Sequence, residues 1–203
     1  MQDYIQSVVT EFDQIAETRQ QHLLKLSEYF QSKYIAGKTP KAIVICTHNS
    51  RRSHLGQLWL MIAADYYGLP KLESYSGGTE ATAFNPRAVA ALQRIGLDIS
   101  TETPNAENPI YDIRWNNEMK SYQAFSKKYD SEPNPQQEFA AIMVCTDADE
   151  KCPIVFGTDF RFPLPFDDPK AFDNTDLEAA KYDERCRDIA REMLFCLSRV
   201  ELS

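Results

Sequence analysis

Two short runs of consecutive apolar residues constrain the fold of this chain most strongly. Residues 42–45 are Ala-Ile-Val-Ile, and residues 139–145 are apolar throughout. Strands that are buried on both faces, as in a parallel sheet, have such continuous runs instead of alternating polar and apolar positions. Strand-like segments at about 71–76 and 160–164 bring the number of predicted strands to four.

Four amphipathic segments with the apolar spacing of a helix lie between and around these strands, at 1–36, 53–67, about 85–95 and 176–200. The alternation predicts an α/β fold, a doubly wound parallel four-stranded sheet flanked by helices. In such folds ligands bind at the carboxyl ends of the strands. Cys46, Ser76 and Cys145 all fall at such ends.

The chain divides into an N-terminal helical extension, residues 1–36, and one larger domain, residues 37–203. An insertion at about 106–137 interrupts that domain. Within it, two runs rich in aromatic residues flank Asn116 and Asn117, which predicts a hairpin; a disordered surface loop is the alternative. An insertion of this length in a compact domain is often a lid or a binding element.

Composition excludes several classes of function. The chain has 203 residues and a net charge of −8, which argues against nucleic acid or an anionic membrane as a partner. The N-terminus lacks the apolar core of a signal peptide, and no apolar run reaches transmembrane length. We therefore expect a cytoplasmic protein whose five cysteines are reduced. Their spacing does not match a zinc site, so we expect no metal centre.

Cys46 ends the first apolar run and opens a loop that leads into the next helix. The loop comprises Thr47, His48, Asn49, Ser50, Arg51, Arg52 and Ser53. Its backbone N–H groups, the helix N-terminus and the Arg52 guanidinium can converge on one point, where they bind a tetrahedral oxyanion and stabilise a thiolate. Ser53 is the predicted N-cap, with its hydroxyl available to the sulfur. The alternative is a buried cysteine beside a solvated arginine.

A cluster of basic residues surrounds this loop in an otherwise acidic chain. It consists of His48, Arg51, Arg52 and His54. Such a cluster suits a small anionic substrate.

Two other segments carry side chains that suit chemistry on a bound oxyanion. Asp168 follows an apolar strand and is held extended by Pro169, so it is a candidate proton donor to a leaving oxygen. Cys145 ends the second apolar run, and Cys152 lies seven residues further, across a polar segment that is predicted to be helical. Two helical turns span about 10 Å, so the two thiols pair only if the segment unwinds, as in a disulfide relay. Two ordinary buried cysteines are the alternative.

Several segments in the same order resemble the thioredoxin-coupled arsenate reductases, which share the fold of the low-molecular-weight protein tyrosine phosphatases. The resemblance covers most of residues 41–105 and 139–195. The matching motifs are Cys46-Thr47-x-Asn49-Ser50-x-Arg52-Ser53, Tyr75-Ser76-x-Gly78-Thr79, Asn85-Pro86-Arg87-Ala88, Gly96-Leu97-Asp98-Ile99-Ser100, the pair Cys145 and Cys152, and Phe166-Asp167-Asp168-Pro169.

This resemblance implies a role for each matching residue. It makes Cys46 the nucleophile, Arg52 the oxyanion clamp and Asp168 the general acid. Cys145 and Cys152 would be the relay and resolving thiols, arsenate or a phosphate-type oxyanion the substrate, and thioredoxin the reductant.

The resemblance leaves two other functions open. The same loop in a protein tyrosine phosphatase would hydrolyse a phosphotyrosine protein. In a binding or redox-sensing module it would hold phosphate or sulfate, and Cys46 would only be oxidised. No organic cofactor is implied. A potassium site beside the loop is implied at Asn49, Ser76 and Thr103, although Asn105 stands where the family has an acidic ligand. On this basis residues 37–203 are the phosphatase-like catalytic domain.

Overall fold

The structure, a computed structural model, describes residues 1–116, 121–151 and 154–202. Its helices are α1 (Gln2–Val9), α2 (Glu17–Ile35), α3 (Arg52–Tyr66), α4 (Pro86–Arg94), α5 (Thr146–Lys151) and α6 (Glu178–Leu197). Its strands are β1 (Lys41–Cys46), β2 (Glu73–Gly78), β3 (Asp98–Ser100), β4 (Tyr111–Arg114), β5 (Tyr122–Ala124), β6 (Phe139–Met143) and β7 (Thr158–Pro163).

The predicted fold class is confirmed. Four parallel strands form the main sheet in the order β2-β1-β6-β7. The two continuously apolar runs become its central strands: all of β6 is buried, as is β1 beyond its first residue. Because Ile45 pairs with Met143, the carboxyl ends of β1 and β6 lie side by side. This register brings the loops after these two strands to one place.

The N-terminal segment is not the single helix predicted for residues 1–36. α1 ends at Val9, a 3₁₀ turn follows at Phe12–Gln14, and α2 begins only at Glu17. Ile15 has extended backbone angles, and its side chain is buried. The side-chain amide of Gln20 donates to the carbonyls of Phe12 and Ile15 at 3.2 and 2.8 Å. Burial of Ile15 thus overrides a helical pattern that no glycine or proline interrupts.

The insertion forms the predicted hairpin. β4 and β5 pair antiparallel, and β3 extends them to a second, three-stranded sheet. Residues 117–120, which connect β4 to β5, lie outside the described residues. After β5 the chain runs along β2, where Gly78 donates to the Lys127 carbonyl and accepts from the Tyr129 N–H, both at 3.0 Å.

The second strand lies slightly further along the chain than the segment predicted at about 71–76. It ends at Gly78, so that Gly77 and Gly78 both belong to β2. A Cβ on Gly77 would lie 2.3 Å from Tyr129 Cα. Glycine is therefore required here because the insertion packs directly on the strand backbone. Within the described part of the chain, none of the helices has the length and apolar character to cross a membrane.

Candidate active site

Cys46 lies at the carboxyl end of β1, at the start of the anion loop (residues 46–53). Its Sγ is 3.1 Å from Ser53 Oγ. Ser53 Oγ also accepts a 2.9 Å hydrogen bond from Asn49 Nδ2, so the hydroxyl hydrogen is available to the sulfur. The sulfur therefore has a hydroxyl partner in the first turn of α3. α3 begins at Arg52 with Arg51 in the N-cap position; Ser53 is therefore not the N-cap, although its predicted contact with the sulfur is confirmed.

Asn49 holds the shape of the loop. Its φ is +44°, in the left-handed region that asparagine tolerates better than most residues. Asn49 Oδ1 accepts from the Lys127 backbone N–H at 2.8 Å, and the Asn49 carbonyl accepts from His54 Nε2 at 3.0 Å. Because Asn49 Nδ2 donates to Ser53 Oγ, both polar atoms of the Asn49 side chain and its backbone carbonyl are hydrogen-bonded. The loop is thus pre-organised by its own middle residue.

Arg52 joins the anion loop to residues 165–168, which carry the predicted acid Asp168 and are called the acid loop below. Its Nη1 donates to the Phe166 carbonyl at 2.7 Å, and its Nη2 donates to Asp168 Oδ2 at 2.6 Å. Asp168 Oδ1 accepts from the Lys170 N–H at 3.0 Å, as the cap of a 3₁₀ turn at Pro169–Phe172. The fold therefore brings two of the predicted catalytic residues, 116 positions apart, into direct contact.

Arg51 does not join the anion-facing cluster that the sequence predicts. Its Nε donates to Tyr182 Oη at 2.7 Å, and its Nη2 pairs with Asp173 at 3.3 Å. Tyr182 Oη in turn donates to Asp173 Oδ1 at 2.8 Å. This side chain ties the loop to α6, and its charge is compensated by a carboxylate.

His54 also does not contribute positive charge. It is completely buried, stacks on Phe84 with ring centroids 4.0 Å apart, and lies 3.3 Å from Ser76 Oγ. Burial, with a contribution from the Lys127 charge, lowers the pKa of His54 to about 3. His48 is half exposed and lies 3.9 Å from Glu80. The basic cluster predicted from the sequence is therefore reduced at the loop to Arg52 and His48.

Cys145 lies beside the anion loop, just after β6. Its Sγ is 3.5 Å from Thr47 Oγ1 and accepts from the Ala148 N–H at 3.3 Å. The segment that follows is helical, as predicted. Cys152 lies outside the described residues.

Cys186 and Cys196 are core thiols. Both are completely buried in α6, and burial raises the pKa of each to about 12. Cys186 accepts from Trp59 Nε1 at 3.3 Å, and Cys196 lies 3.5 Å from Ser27 Oγ. Neither thiol has the character of a redox-active cysteine.

The residues of the implied potassium site do not fit that ion. Asn49 Oδ1 already accepts from the Lys127 backbone N–H, and Ser76 Oγ lies 3.3 Å from the ring nitrogen Nδ1 of His54. Thr103 is exposed; its hydroxyl and N–H bond Thr101 Oγ1, and its carbonyl accepts from the Ala106 N–H at 3.1 Å. A cation there would also face the charge of the buried Lys127, which acts on His54 beside Ser76.

The support that the insertion provides to the anion loop was not predictable from local sequence pattern. Ser126 Oγ and Thr82 Oγ1 both donate to the His48 carbonyl, at 3.2 and 3.0 Å. Lys127 is buried, with its ammonium 4.9 Å from the ring centroid of Phe125, and burial lowers the pKa of Lys127 to about 8. Residues more than 70 positions from Cys46 thus hold its loop in place.

Comparison with known proteins places this site in a family. No family model matches the chain. The arsenate reductase of Bacillus licheniformis is 31% identical over 144 residues, which are 71% of this chain and 84% of that protein. The arsenate reductase of Bacillus subtilis matches with the same identity and coverage.

Solved structures agree on the fold. A low-molecular-weight phosphotyrosine phosphatase from Vibrio cholerae O395 superposes with a TM-score of 0.51 at 13% identity, over 78% of this chain and 95% of the other. An arsenate reductase from Archaeoglobus fulgidus superposes with a TM-score of 0.50 at 16% identity, over 77% and 98%. The chain belongs to the arsenate reductase family, whose enzymes share the fold of the low-molecular-weight protein tyrosine phosphatases.

Proposed function

We propose that this protein reduces arsenate, with Cys46 as nucleophile, Arg52 as oxyanion clamp and Asp168 as general acid. Cys145 and Cys152 carry the disulfide to thioredoxin. The observation that supports this most is the thiol of Cys145, 3.5 Å from Thr47 Oγ1 in the anion loop. Hydrolysis of a phosphate ester needs no second thiol at this position, whereas reduction does.

The chemistry proceeds in three displacements. First, the Cys46 thiolate attacks arsenic(V), an As–S bond forms, and an As–O bond breaks as Asp168 protonates the leaving oxygen. Second, the Cys145 thiolate attacks the Cys46 sulfur. A disulfide forms, and the electron pair of the As–S bond goes to arsenic, which leaves as arsenic(III). Two thiols have then been oxidised and arsenic reduced by two electrons.

The third displacement moves the disulfide outward. Cys152 attacks Cys145, the Cys46 thiolate is released, and the Cys145–Cys152 disulfide is reduced by the dithiol of thioredoxin. Because α5 separates the two positions, this step requires α5 to unwind. A cytoplasmic location, where thioredoxin keeps thiols reduced, is part of the proposal.

The test is arsenate reduction coupled to thioredoxin, thioredoxin reductase and NADPH, run beside hydrolysis of an aryl phosphate. We expect Cys46→Ser to abolish both activities. Cys145→Ser and Cys152→Ser should lose multiple-turnover reduction and keep ester hydrolysis. Cys186→Ala, in a core thiol, is the matched control and should keep both. Many turnovers by Cys152→Ser with thioredoxin would contradict the relay.

Phosphate ester hydrolysis is the second candidate, with a phosphotyrosine protein as substrate. The observation that favours it is the Arg52–Asp168 contact at 2.6 Å, since a clamp, an acid and Cys46 are sufficient for a phosphoenzyme reaction. The ratio of kcat/KM for aryl phosphate to that for arsenate decides between the two. A ratio well above one, unchanged in Cys145→Ser, would favour the phosphatase.

A further inference from the structure

The N-terminal extension contacts the segment that leads to Asp168. Arg19, in the first turns of α2, donates from Nη2 to the Pro165 carbonyl at 3.1 Å. Its guanidinium lies 5.1 Å from the ring centroid of Phe166. One turn further along α2, His22 Nε2 donates to the Pro163 carbonyl at 2.6 Å. α2 therefore bonds the backbone of the acid loop and of the strand residue before it.

The orientation of Arg19 is itself fixed. Its Nε bonds both carboxylate oxygens of Glu192 on α6, at 3.1 and 2.9 Å. The side chains of Arg19 and Glu192 are only 24% and 13% exposed. An arginine fork held in this way has little freedom left to lose when it also binds a carbonyl. Arg19 therefore offers the acid loop a rigid partner.

The contact with Phe166 leads directly to the catalytic groups. The Phe166 N–H donates to the Val144 carbonyl at 3.1 Å, and its carbonyl accepts from Arg52 Nη1 at 2.7 Å. Its ring is buried, with Arg19 against it. Asp168 follows two residues later and bonds the other end of the Arg52 guanidinium. A shift of Phe166 would thus move both Arg52 and Asp168.

We infer that Arg19 is a positioning residue for the proton-transfer step, and that α2 braces the acid loop so that Asp168 meets the leaving oxygen. The inference rests on the proposed function, because it takes Asp168 as the general acid. Arg19 contacts neither Asp168 nor Cys46 in the described hydrogen bonds; it acts through Pro165 and Phe166. The opposing view is that Arg19 only attaches α2 to α6.

The dependence of hydrolysis on the leaving group separates these views. Phenyl phosphate needs protonation of its leaving oxygen, whereas 2,4-dinitrophenyl phosphate leaves without it. Because both esters give the same phosphoenzyme, kcat/KM is the quantity that reports departure of the leaving group. We expect Arg19→Met to lower kcat/KM for phenyl phosphate about tenfold and to change kcat/KM for the dinitrophenyl ester by less than about twofold. The matched control is Arg187→Met, because Arg187 bonds Glu11 of the same extension at 2.7 Å, and among the described residues its side-chain hydrogen bonds go to Glu11 and Ser7 and not to the acid loop. It should leave the ratio of the two rates unchanged.

The ratio of the two rates within one sample does not depend on how much of the protein is folded. Arg19→Lys provides a second, milder variant, since a single ammonium cannot keep both the Glu192 and the Pro165 bonds; we expect an intermediate ratio. Asp168→Asn should change the ratio more than Arg19→Met does. Because both act on one step, the double variant should be no worse than Asp168→Asn alone.

The possible outcomes separate the role of Arg19 from the role of Asp168. A wild-type ratio in both Arg19 variants, with an altered ratio in Asp168→Asn, would overturn the inference and leave the acid assignment intact. A wild-type ratio in Asp168→Asn would overturn the acid assignment itself. Absence of turnover of both esters by the wild type would overturn the shared displacement chemistry.

Discussion

Arg52 Nη2 donates to Asp168 Oδ2 at 2.6 Å, so the proposed clamp and the proposed acid form one ion pair. The second amino group of the guanidinium is bonded to the Phe166 carbonyl. Both side chains are partly buried, at 14% and 35% exposure. A planar fork satisfies both partners at once, which a lysine cannot do.

We predict that Arg52→Lys lowers kcat/KM for aryl phosphate by about 10²- to 10³-fold, because the guanidinium fork that we propose as the oxyanion clamp is lost. Steady-state kinetics measures the effect. Arg94→Lys is the control, since Arg94 makes an exposed ion pair with Asp183, and it should be indistinguishable from wild type. Loss of less than about threefold in Arg52→Lys would remove Arg52 from the catalytic machinery.

Gly78→Ala should distort the anion loop. A Cβ on Gly78 would lie 2.2 Å from the Glu80 carbonyl oxygen and 2.7 Å from both Asn49 N and the Thr47 carbonyl oxygen. Since these are backbone atoms, we expect a loss of about 3 kcal/mol in the free energy of unfolding, measured in urea, with activity largely lost.

The control for that substitution is Gly68→Ala. Gly68 has φ +65° but nothing within 4 Å of the added carbon. Its cost is about 1 kcal/mol of backbone strain, with kcat/KM unchanged. Full activity in Gly78→Ala would show that the loop does not depend on this close approach.

Lys127→Met should stabilise the protein at neutral pH. Burial lowers the pKa of Lys127 to about 8 from 10.5, so below pH 8 the folded state carries the full cost of a buried ammonium. The unfolded state binds more protons than the folded state between pH 8 and 10.5; the cost therefore falls as pH rises through that window. The pKa shift corresponds to a burial cost of about 3 kcal/mol. Loss of the contact with Phe125 offsets about 1 kcal/mol of that, so we expect the free energy of unfolding of Lys127→Met to exceed that of wild type by about 2 kcal/mol at pH 7.

Urea unfolding at pH 7 and pH 10 measures this difference. The gain in Lys127→Met should be smaller at pH 10. Lys128→Met, at the exposed neighbouring position, should differ little from wild type at either pH. An equal gain at both pH values would mean that the ammonium of Lys127 carries no burial cost.

His54 should make the protein sensitive to acid. Its pKa is about 3 in the folded state and about 6.5 when unfolded, so below pH 6.5 the unfolded state takes up a proton that the folded state does not. The contribution of neutral His54 to the free energy of unfolding is therefore complete above pH 6.5 and is lost as pH falls. At pH 5 the loss is about 2 kcal/mol.

His54→Gln removes this pH-dependent contribution to the free energy of unfolding. It also removes the stacking on Phe84, so the variant should be less stable than wild type at pH 7.5. The difference in unfolding free energy between the variant and wild type should narrow by about 2 kcal/mol from pH 7.5 to pH 5. His48→Gln, at a half-exposed histidine of the same loop, is measured beside it as the matched variant. A constant difference in His54→Gln would contradict the buried neutral histidine.

Features that depend on local pattern were predictable. The apolar runs gave the central strands because a strand covered on both faces has no polar side. The start of α4 is similar: Asn85 accepts from the Arg87 N–H at 2.9 Å, and Pro86 takes the first helical position. Cys46, Arg52 and Asp168 were each predicted as candidates from their own neighbours in the chain, such as the apolar strand before Cys46 and Pro169 after Asp168.

What the amino-acid sequence determined by itself was the order of strands and helices and the residue types that end them. Tertiary structure alone decided the break at Ile15, the engagement of Arg51 with Tyr182, 131 positions away, and the burial of Lys127 behind the anion loop. Periodicity reports only which side of an element is apolar. Which distant charge or cavity a side chain meets follows from packing, because burial and ion pairing act between residues that are close in space and remote in the chain.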